Sequence, residues 1–373
     1  VEDWTVGFDQ LKERLREYPL DRVSQITGLD PELIRQAGRM YATSGPAVMP
    51  WVPMLDKQIN STSAIRLQAI LRAICGHLDV PGGELLCGYD PDIIPEVDIE
   101  LHEELSQAQK DKQLGTGTYN AFTYEGTAAL KGPTEKVWGR PYANIVTGSF
   151  MAHPPSAFTA MADGAPYPVK AFIATGNNPL MSYANQTKIY KAILNQDLVV
   201  TFDLFKTPTA QLSDYILPGN SWLERDHLHD LYGWSTVHFV SHKLMDAPGE
   251  CRGGYELWRG LAQRMGFGER FPWRTTEELY DERLQGTGMN WAEFSDTYTT
   301  YIPEFKFKKY EQTGFATPSG KVELYSSVLE DLGHDPLPYY RERPQPEGFP
   351  FILFVGIRDD EYYQTGQRQV KSL

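Results

Sequence analysis

Apolar positions in the first part of the chain recur at helical spacing. Between Phe8 and Thr43, residues Leu11, Leu15, Val23, Ile26, Leu33 and Ile34 form apolar stripes, and Asp30-Pro31-Glu32 supplies a cap, a proline and an acid at a helix start. Gly45-Pro46 stops that pattern, and Ala47 to Val52 reads as a short buried strand. Thr62 to Leu78 then places Leu67, Ile70, Leu71, Ile74 and Leu78 on one helical face, closed by Pro81-Gly82-Gly83. From residue 88 to 140 the periodicity disappears. Glycines and an acidic patch (Glu96, Asp98, Glu100, Glu103, Glu104) mark a long irregular excursion.

Strand patterns return at Ala143–Thr147 and at Val169–Thr175, the latter ending on Gly176. A helical stretch from Ser182 to Asn195 follows, then the strand Leu198–Phe202 and the short run Tyr215–Leu217. The order strand, helix, strand predicts an α/β fold with a mainly parallel sheet in αβα layers. Tyr255–Met265 and Thr276–Leu284 read as covering helices, and Val322–Tyr325 follows the turn at Ala316 to Lys321. The proline-rich stretch Pro336 to Pro350 reads as a linker, and Phe351–Gly356 as the first strand of another domain.

Charge narrows the function classes. A formal net charge of -14 argues against a nucleic-acid partner, because phosphate binding is driven by Lys and Arg. The 3 cysteines, Cys75, Cys87 and Cys251, are too scattered for a disulfide framework or an iron-sulfur cluster. No apolar run reaches the length of a membrane span, and Val1-Glu2-Asp3-Trp4 resembles neither a start nor a signal peptide, so the chain reads as an interior piece of something longer.

The segment richest in chemistry is Thr175-Gly176-Asn177-Asn178-Pro179, where a parallel strand gives way to a helix. Ligands of open α/β sheets bind at such carboxyl ends. Glycine permits close backbone approach to a diphosphate, and helix-start N–H groups and asparagine amides donate to it. There is no GxGxxG and no P-loop lysine. Asp203 ends the next strand, where an acid can accept from a ribose or a base edge. Each feature also has a plain structural reading, Gly-Asn-Asn-Pro as a turn and Asp203 as a helix cap.

Three segments taken together carry a resemblance: Ala174 to Leu180, Val199 to Ala210, and Ser213 to Pro218 with Glu224. In order and spacing they resemble the molybdopterin oxidoreductases of the dimethyl sulfoxide reductase family. The resemblance extends to Gly28-Leu29-Asp30, Gly76 to Gly83, Thr317 to Lys321 and Phe351 to Arg368, and is poor over 88 to 140. It implies a molybdenum or tungsten enzyme with two pterins, each extended by a guanine dinucleotide (bis-molybdopterin guanine dinucleotide), and a pair of αβα domains that each hold one nucleotide tail.

Carried over to this sequence, the resemblance puts Gly176, Asn177 and Asn178 at the diphosphate and ribose and Asp203 at the guanine edge, with Thr207 and Asp214 supporting the pocket. Arg358 and Tyr362 to Arg368 would open the family's C-terminal barrel. Asp56, Lys57 and Gln58 follow Val52-Pro53-Met54, where relatives have a glycine-rich pterin contact, and receive no role. The resemblance places the metal ligand and a 4Fe-4S cluster upstream of this chain. The expected organisation is residues 1–87 ending one αβα domain, 88–140 an irregular excursion, 141–335 a second αβα domain for the nucleotide tail, and 336–373 a linker and the start of a barrel. The whole enzyme would perform two-electron redox or oxygen-atom transfer on a small-molecule substrate, as in prokaryotic anaerobic respiration, with electrons leaving through an iron-sulfur subunit.

Two rivals stand beside this. His227, His229, His238 and His242 could converge on zinc in a metallohydrolase. Alternatively, the αβα shape could serve as a non-catalytic nucleotide-binding or assembly module.

Overall fold

The computed structural model describes residues 3–50, 55–56, 58–86, 90, 92–99, 104–141, 152–229, 237–345 and 347–351. The expected strands at Ala143–Thr147 and beyond Phe351, with Val52-Pro53-Met54, Lys57, Arg358 and the 362–368 segment, lie outside the described residues. Among the described residues there is no helix long and apolar enough to cross a membrane. The chain forms two compact units, Val1–Pro50 with Leu67–Leu337, and Trp51–Arg66 with Pro338–Leu373.

The strands are β1 (Thr5–Val6), β2 (Ala171–Thr175), β3 (Leu198–Asp203), β4 (Tyr215–Pro218), β5 (His227–His229), β6 (His238–Ser241), β7 (Thr300–Tyr301) and β8 (Val322–Glu323). All lie in the larger unit. β2, β3 and β4 form a parallel sheet in that order, with Phe172 opposite Val199 and Asp203 opposite Pro218. This is the α/β arrangement expected from the strand, helix, strand order.

Helices Pro154–Asp163 and Gln186–Leu194 cover one face of this sheet. Their Phe158, Met161, Ala162, Ile189, Ala192 and Ile193 pack with Val199 into a closed apolar cluster. Burial of such side chains stabilises each by roughly 1.5–3 kcal/mol, enough to fix the sheet against the helices. The expected single helix from Ser182 to Asn195 is interrupted. Pro179–Ser182 forms one turn, and Asn185, in the left-handed region at φ 61, caps Gln186–Leu194 by accepting from Lys188 N at 3.2 Å.

The expected helical stretch from Phe8 to Thr43 resolves into Phe8–Leu15, Leu20–Thr27 and Pro31–Thr43, punctuated by Pro19 and Gly28. Asp30 caps the third, accepting from Glu32 N at 2.7 Å. Residues 47–50 make no strand, contrary to the sequence reading. Met49 N instead donates to Glu84 Oε1 at 2.8 Å, and Met49 O accepts from Arg72, so side chains satisfy the backbone that a ladder would have used.

Regular structure also occupies part of the stretch read as irregular. Ala128–Trp138 is a helix, concealed in the sequence by Gly132 and Pro133 within it. Gln107–Lys110 forms a short turn with a capping box between Ser106 and Gln109.

An antiparallel sheet of β5, β6 and β7 accompanies the parallel one, packed on Ile93, Leu228, Tyr280, Leu284, Trp291 and Phe294. β1 pairs in parallel with β8 over Leu11, Ile70, Leu324 and Leu337. In the smaller unit, Asn60 bonds reciprocally with the backbone of Arg341, at 2.9 and 2.7 Å, and Tyr339 N donates to Ser63 Oγ at 3.1 Å.

Candidate functional site

The carboxyl ends of β2 and β3 are adjacent because the two strands run parallel with Thr175 opposite Phe202. The Gly176-Asn177-Asn178 turn and Asp203 therefore share one edge of the sheet. Gly176 N donates to Phe202 O at 2.9 Å, tying the turn to the residue before Asp203. Gly176 adopts φ +55 with open space where a Cβ would stand, so the left-handed backbone there faces no protein.

Donors at this edge divide into used and open ones. Pro179 has no N–H, and Leu180 N donates to Thr209 Oγ1 at 3.2 Å. Met181 N and Ser182 N return to Asn178 O, both at 3.0 Å. The helix start invoked from the sequence thus spends its amides internally, because its single turn closes on Asn178. Among the described residues, the backbone N–H groups of Asn177 and Asn178 and the exposed side chain of Asn177 make no hydrogen bond. These are the donors that can meet an anion.

Asn178 is held from below. Its Oδ1 accepts from Thr209 Oγ1 at 2.8 Å and from Thr209 N at 3.3 Å. Thr209 is 0% exposed and continues into a polar spine, its carbonyl accepting from Ser213 Oγ at 3.2 Å and Ser213 Oγ lying 2.7 Å from the buried Thr201 Oγ1. Nothing in the sequence singles out Thr209, since its partner is 31 positions away.

Asp203 caps no helix, the next one starting only at Ala210; its Oδ1 instead accepts from Phe205 N at 3.0 Å in an Asx turn. Among the described residues its Oδ2 has no partner, so the carboxylate keeps an oxygen for a ligand. Thr207 closes the loop after Asp203 by accepting from Ala210 N at 3.2 Å. Asp214 sits elsewhere. Its Oδ2 accepts from Val199 N at 2.7 Å, at the amino end of β3, so the structure separates it from the turn and from Asp203 and gives it the task of pairing the strand start. Arg358 lies outside the described residues.

Asn220, which the sequence reading did not select, lies just beyond β4 at the same edge as Asp203. Its Oδ1 is buried and has no hydrogen-bond partner among the described residues. A half-free carboxylate at the same strand edge as a turn with open amides fits a ligand that brings N–H donors and phosphate oxygens together. A shallow groove of about 390 Å³ adjoins the turn, lined by Leu180, Met181, Gln186, Thr187 and Tyr190.

The histidines do not converge. His227 and His229 lie on one face of β5 with ring centroids 3.8 Å apart. The register sets Leu228 opposite Val240, so His238 belongs to the opposite face, where its Nε2 lies 2.9 Å from the buried Asp90. His242 Nε2 bonds Ser295 O at 3.0 Å. Among the described residues, no group of three or more His, Cys, Asp and Glu could hold a metal ion, which removes the zinc reading's basis there. Burial, reinforced by His229, Arg225 and Arg283, instead holds the His227 imidazole down to about 3.

Comparison with known proteins bears on the same region. Residues 98–264, which contain the parallel sheet, match the family model for molybdopterin oxidoreductase. Over 99% of its length the chain is 48% identical to the acetylene hydratase of Syntrophotalea acetylenica, of which it covers 51%. It is 30% identical to the molybdopterin-containing subunit of thiosulfate reductase from Salmonella typhimurium, over 89% of this chain and 45% of that protein. The chain therefore spans about half the length of these relatives. The solved structure of acetylene hydratase from Pelobacter acetylenicus superimposes with a TM-score of 0.93, covering 99% of this chain and 52% of that one. On the parallel sheet, the matched segment and these relatives, the chain belongs to the molybdopterin oxidoreductases of the dimethyl sulfoxide reductase family.

Proposed function

We propose that this chain holds the guanine-dinucleotide tail of a molybdenum or tungsten pterin cofactor at the carboxyl edge of β2, β3 and β4, as one segment of a larger enzyme. The observation that carries the reading is the shared edge: open amides of Asn177 and Asn178 beside Gly176 on one strand, and the half-committed carboxylate of Asp203 on its neighbour. Amides and a left-handed glycine suit a diphosphate, whereas a carboxylate suits the adjacent N–H donors of guanine and disfavours adenine. Thr209 positions Asn178, and Thr207 fixes the loop after Asp203. When bound, the cofactor supplies the metal at which substrate reacts, while these residues bind and orient its tail.

The test is Asp203→Ala in the complete protein. Guanine nucleotide released on acid hydrolysis, and metal per polypeptide, should fall together. Unchanged content of both would reject the pocket.

For the whole enzyme, the 48% identity to a protein named acetylene hydratase, against 30% for a thiosulfate reductase, favours addition of water to a small unsaturated substrate over net redox chemistry. Acetylene and water balance to acetaldehyde without an external electron acceptor, so an iron-sulfur electron-transfer subunit belongs only to the redox reading. A 4Fe-4S cluster outside this chain is compatible with either. Acetaldehyde formation by the complete, metal-loaded protein without an added oxidant would support hydration. Dye-linked oxidation or reduction with no hydration would restore the redox reading.

A further inference from the structure

Strand β5 carries a stripe of nitrogen donors that the nucleotide edge does not use. Arg225 is extended, at φ -149 and ψ 152, and runs into β5, so Arg225, His227 and His229 take alternate positions on one face of the strand. Asp226, between them, turns away and accepts from Lys243 N at 2.9 Å. The charge on Arg225 is unanswered. Among the described residues it makes no ion pair and no hydrogen bond, and of its nitrogens only Nε is sealed from solvent, so the fork of terminal nitrogens stands open. A half-buried guanidinium without an anion is costly, and the more so where Arg283 and two histidines crowd the same space.

His227 is oriented beside it. The Tyr280 hydroxyl, on the helix Thr276–Arg283, lies 3.4 Å from His227 Nδ1. Burial pushes the Tyr280 phenol up to about 12 and the His227 imidazole down to about 3, the latter reinforced by His229, Arg225 and Arg283, so a protonated hydroxyl meets a neutral ring. Nδ1 is the hydroxyl's nearer acceptor, Asp226 O lying at 3.5 Å. Donation to Nδ1 places the ring proton on Nε2, which has no protein partner among the described residues and is not sealed from solvent. Arg225 and His227 thus present open donors on one strand face, about 7 Å apart along the chain. Glu96, on the helix Glu96–Ile99, bears on the Tyr280 hydroxyl but pairs with neither of them. The local field is positive in a chain whose formal net charge is -14.

We propose that Arg225 and His227 form an anion site on the antiparallel sheet, distinct from the nucleotide edge, which takes one small oxyanion between the guanidinium fork and His227 Nε2–H. Charge-assisted hydrogen bonds of about 2.8 Å from either side suit that span, and the planar fork matches the paired oxygens of a carboxylate or a sulfate.

The experiment uses the complete protein in its cofactor-loaded form, titrated calorimetrically with sodium sulfate and with sodium acetate at an ionic strength held constant by sodium chloride. The parent should bind either anion saturably, and each should displace the other. Arg225→Gln should weaken that binding roughly ten- to a hundredfold, the size of a hydrogen bond to a charged group, and Arg225→Lys, which keeps the charge without the fork, should fall between. His227→Phe should weaken it roughly three- to tenfold, whereas His227→Gln, which keeps an N–H, should retain most of it. Anion-free Arg225→Gln should melt at or above the parent's temperature, because an unpaired charge is removed. Absence of saturable sulfate or acetate binding by the parent would overturn the proposal, since the fork would then be closed in the complete protein. Equal affinity in the parent and Arg225→Gln would overturn it by placing the anion elsewhere. If Arg225→Gln does not fold, Arg225→Lys and His227→Phe carry the test, and unchanged affinity in both defeats it. With the cofactor already bound, none of these outcomes bears on the nucleotide-tail reading.

Discussion

Replacing Thr209 by valine removes one hydroxyl from beneath the Asn178 turn while keeping the side chain's shape. In the structure that hydroxyl donates to Asn178 Oδ1 at 2.8 Å and accepts from Leu180 N at 3.2 Å, in a residue 0% exposed. The lost bond is worth about 1 kcal/mol, and a Leu180 N–H left without an acceptor adds about 1–3 kcal/mol, for a local penalty of about 2–4 kcal/mol. Hydrogen exchange of the complete protein reads that penalty as local opening. Peptides spanning residues 176 to 184 should exchange about 30-fold faster or more, with helix Gln186–Leu194 little changed beyond its cap. GDP affinity should fall as well, since Asn178 loses its orientation. In an Asn178→Ala background Thr209→Val should cost only the stranded Leu180 N–H, about 1–3 kcal/mol, and should lower GDP affinity no further. Exchange within threefold of the parent, with GDP affinity intact, would refute the role given to Thr209.

Asp214→Ala should lower stability by about 1–2 kcal/mol in chemical denaturation, through loss of its bond to Val199 N, yet leave GDP affinity untouched. Asp79→Ala should be more damaging, about 3–5 kcal/mol by the same measurement. The buried carboxylate accepts from Lys309 N at 2.9 Å, Leu86 N at 3.3 Å and Lys309 Nζ at 2.7 Å; its removal strands the two amides, while Nζ keeps Lys306 O, and alanine at φ 54 adds backbone strain. His227 carries a pH signature. Its folded value of about 3 lies below the ordinary 6.5, so the unfolded chain binds the extra proton, and the stability His227 contributes is complete above pH 6.5 and lost as pH falls toward 3. Melting temperature against pH should therefore slope less steeply over that window in His227→Gln, and an unaltered slope would count against a buried neutral imidazole.

Local pattern was enough to reveal what short stretches decide by themselves. The apolar, β-rich runs Val169–Thr175 and Leu198–Phe202, with a helix between them, predicted the parallel βαβ unit and put Gly176 and Asp203 at strand ends, and parallel pairing then brought those ends together. The cap at Asp30 was equally local. Helix Ala128–Trp138 escaped notice because Gly132 and Pro133 are poor helix formers that only tertiary packing tolerates. The family resemblance implied a pocket role for Asp214. Parallel strands begin at the edge opposite to where they end, however, and at about 3.3 Å per residue a strand start stands well over 10 Å from the neighbouring strand's end. Strand register likewise sent His238 to the face opposite His227 and His229, which no spacing rule could foresee. Thr209 and Arg225 owe their significance wholly to tertiary structure. One is buried beneath a side chain distant in sequence, and the other is a guanidinium whose missing partner becomes visible only when the surrounding chain has closed around it.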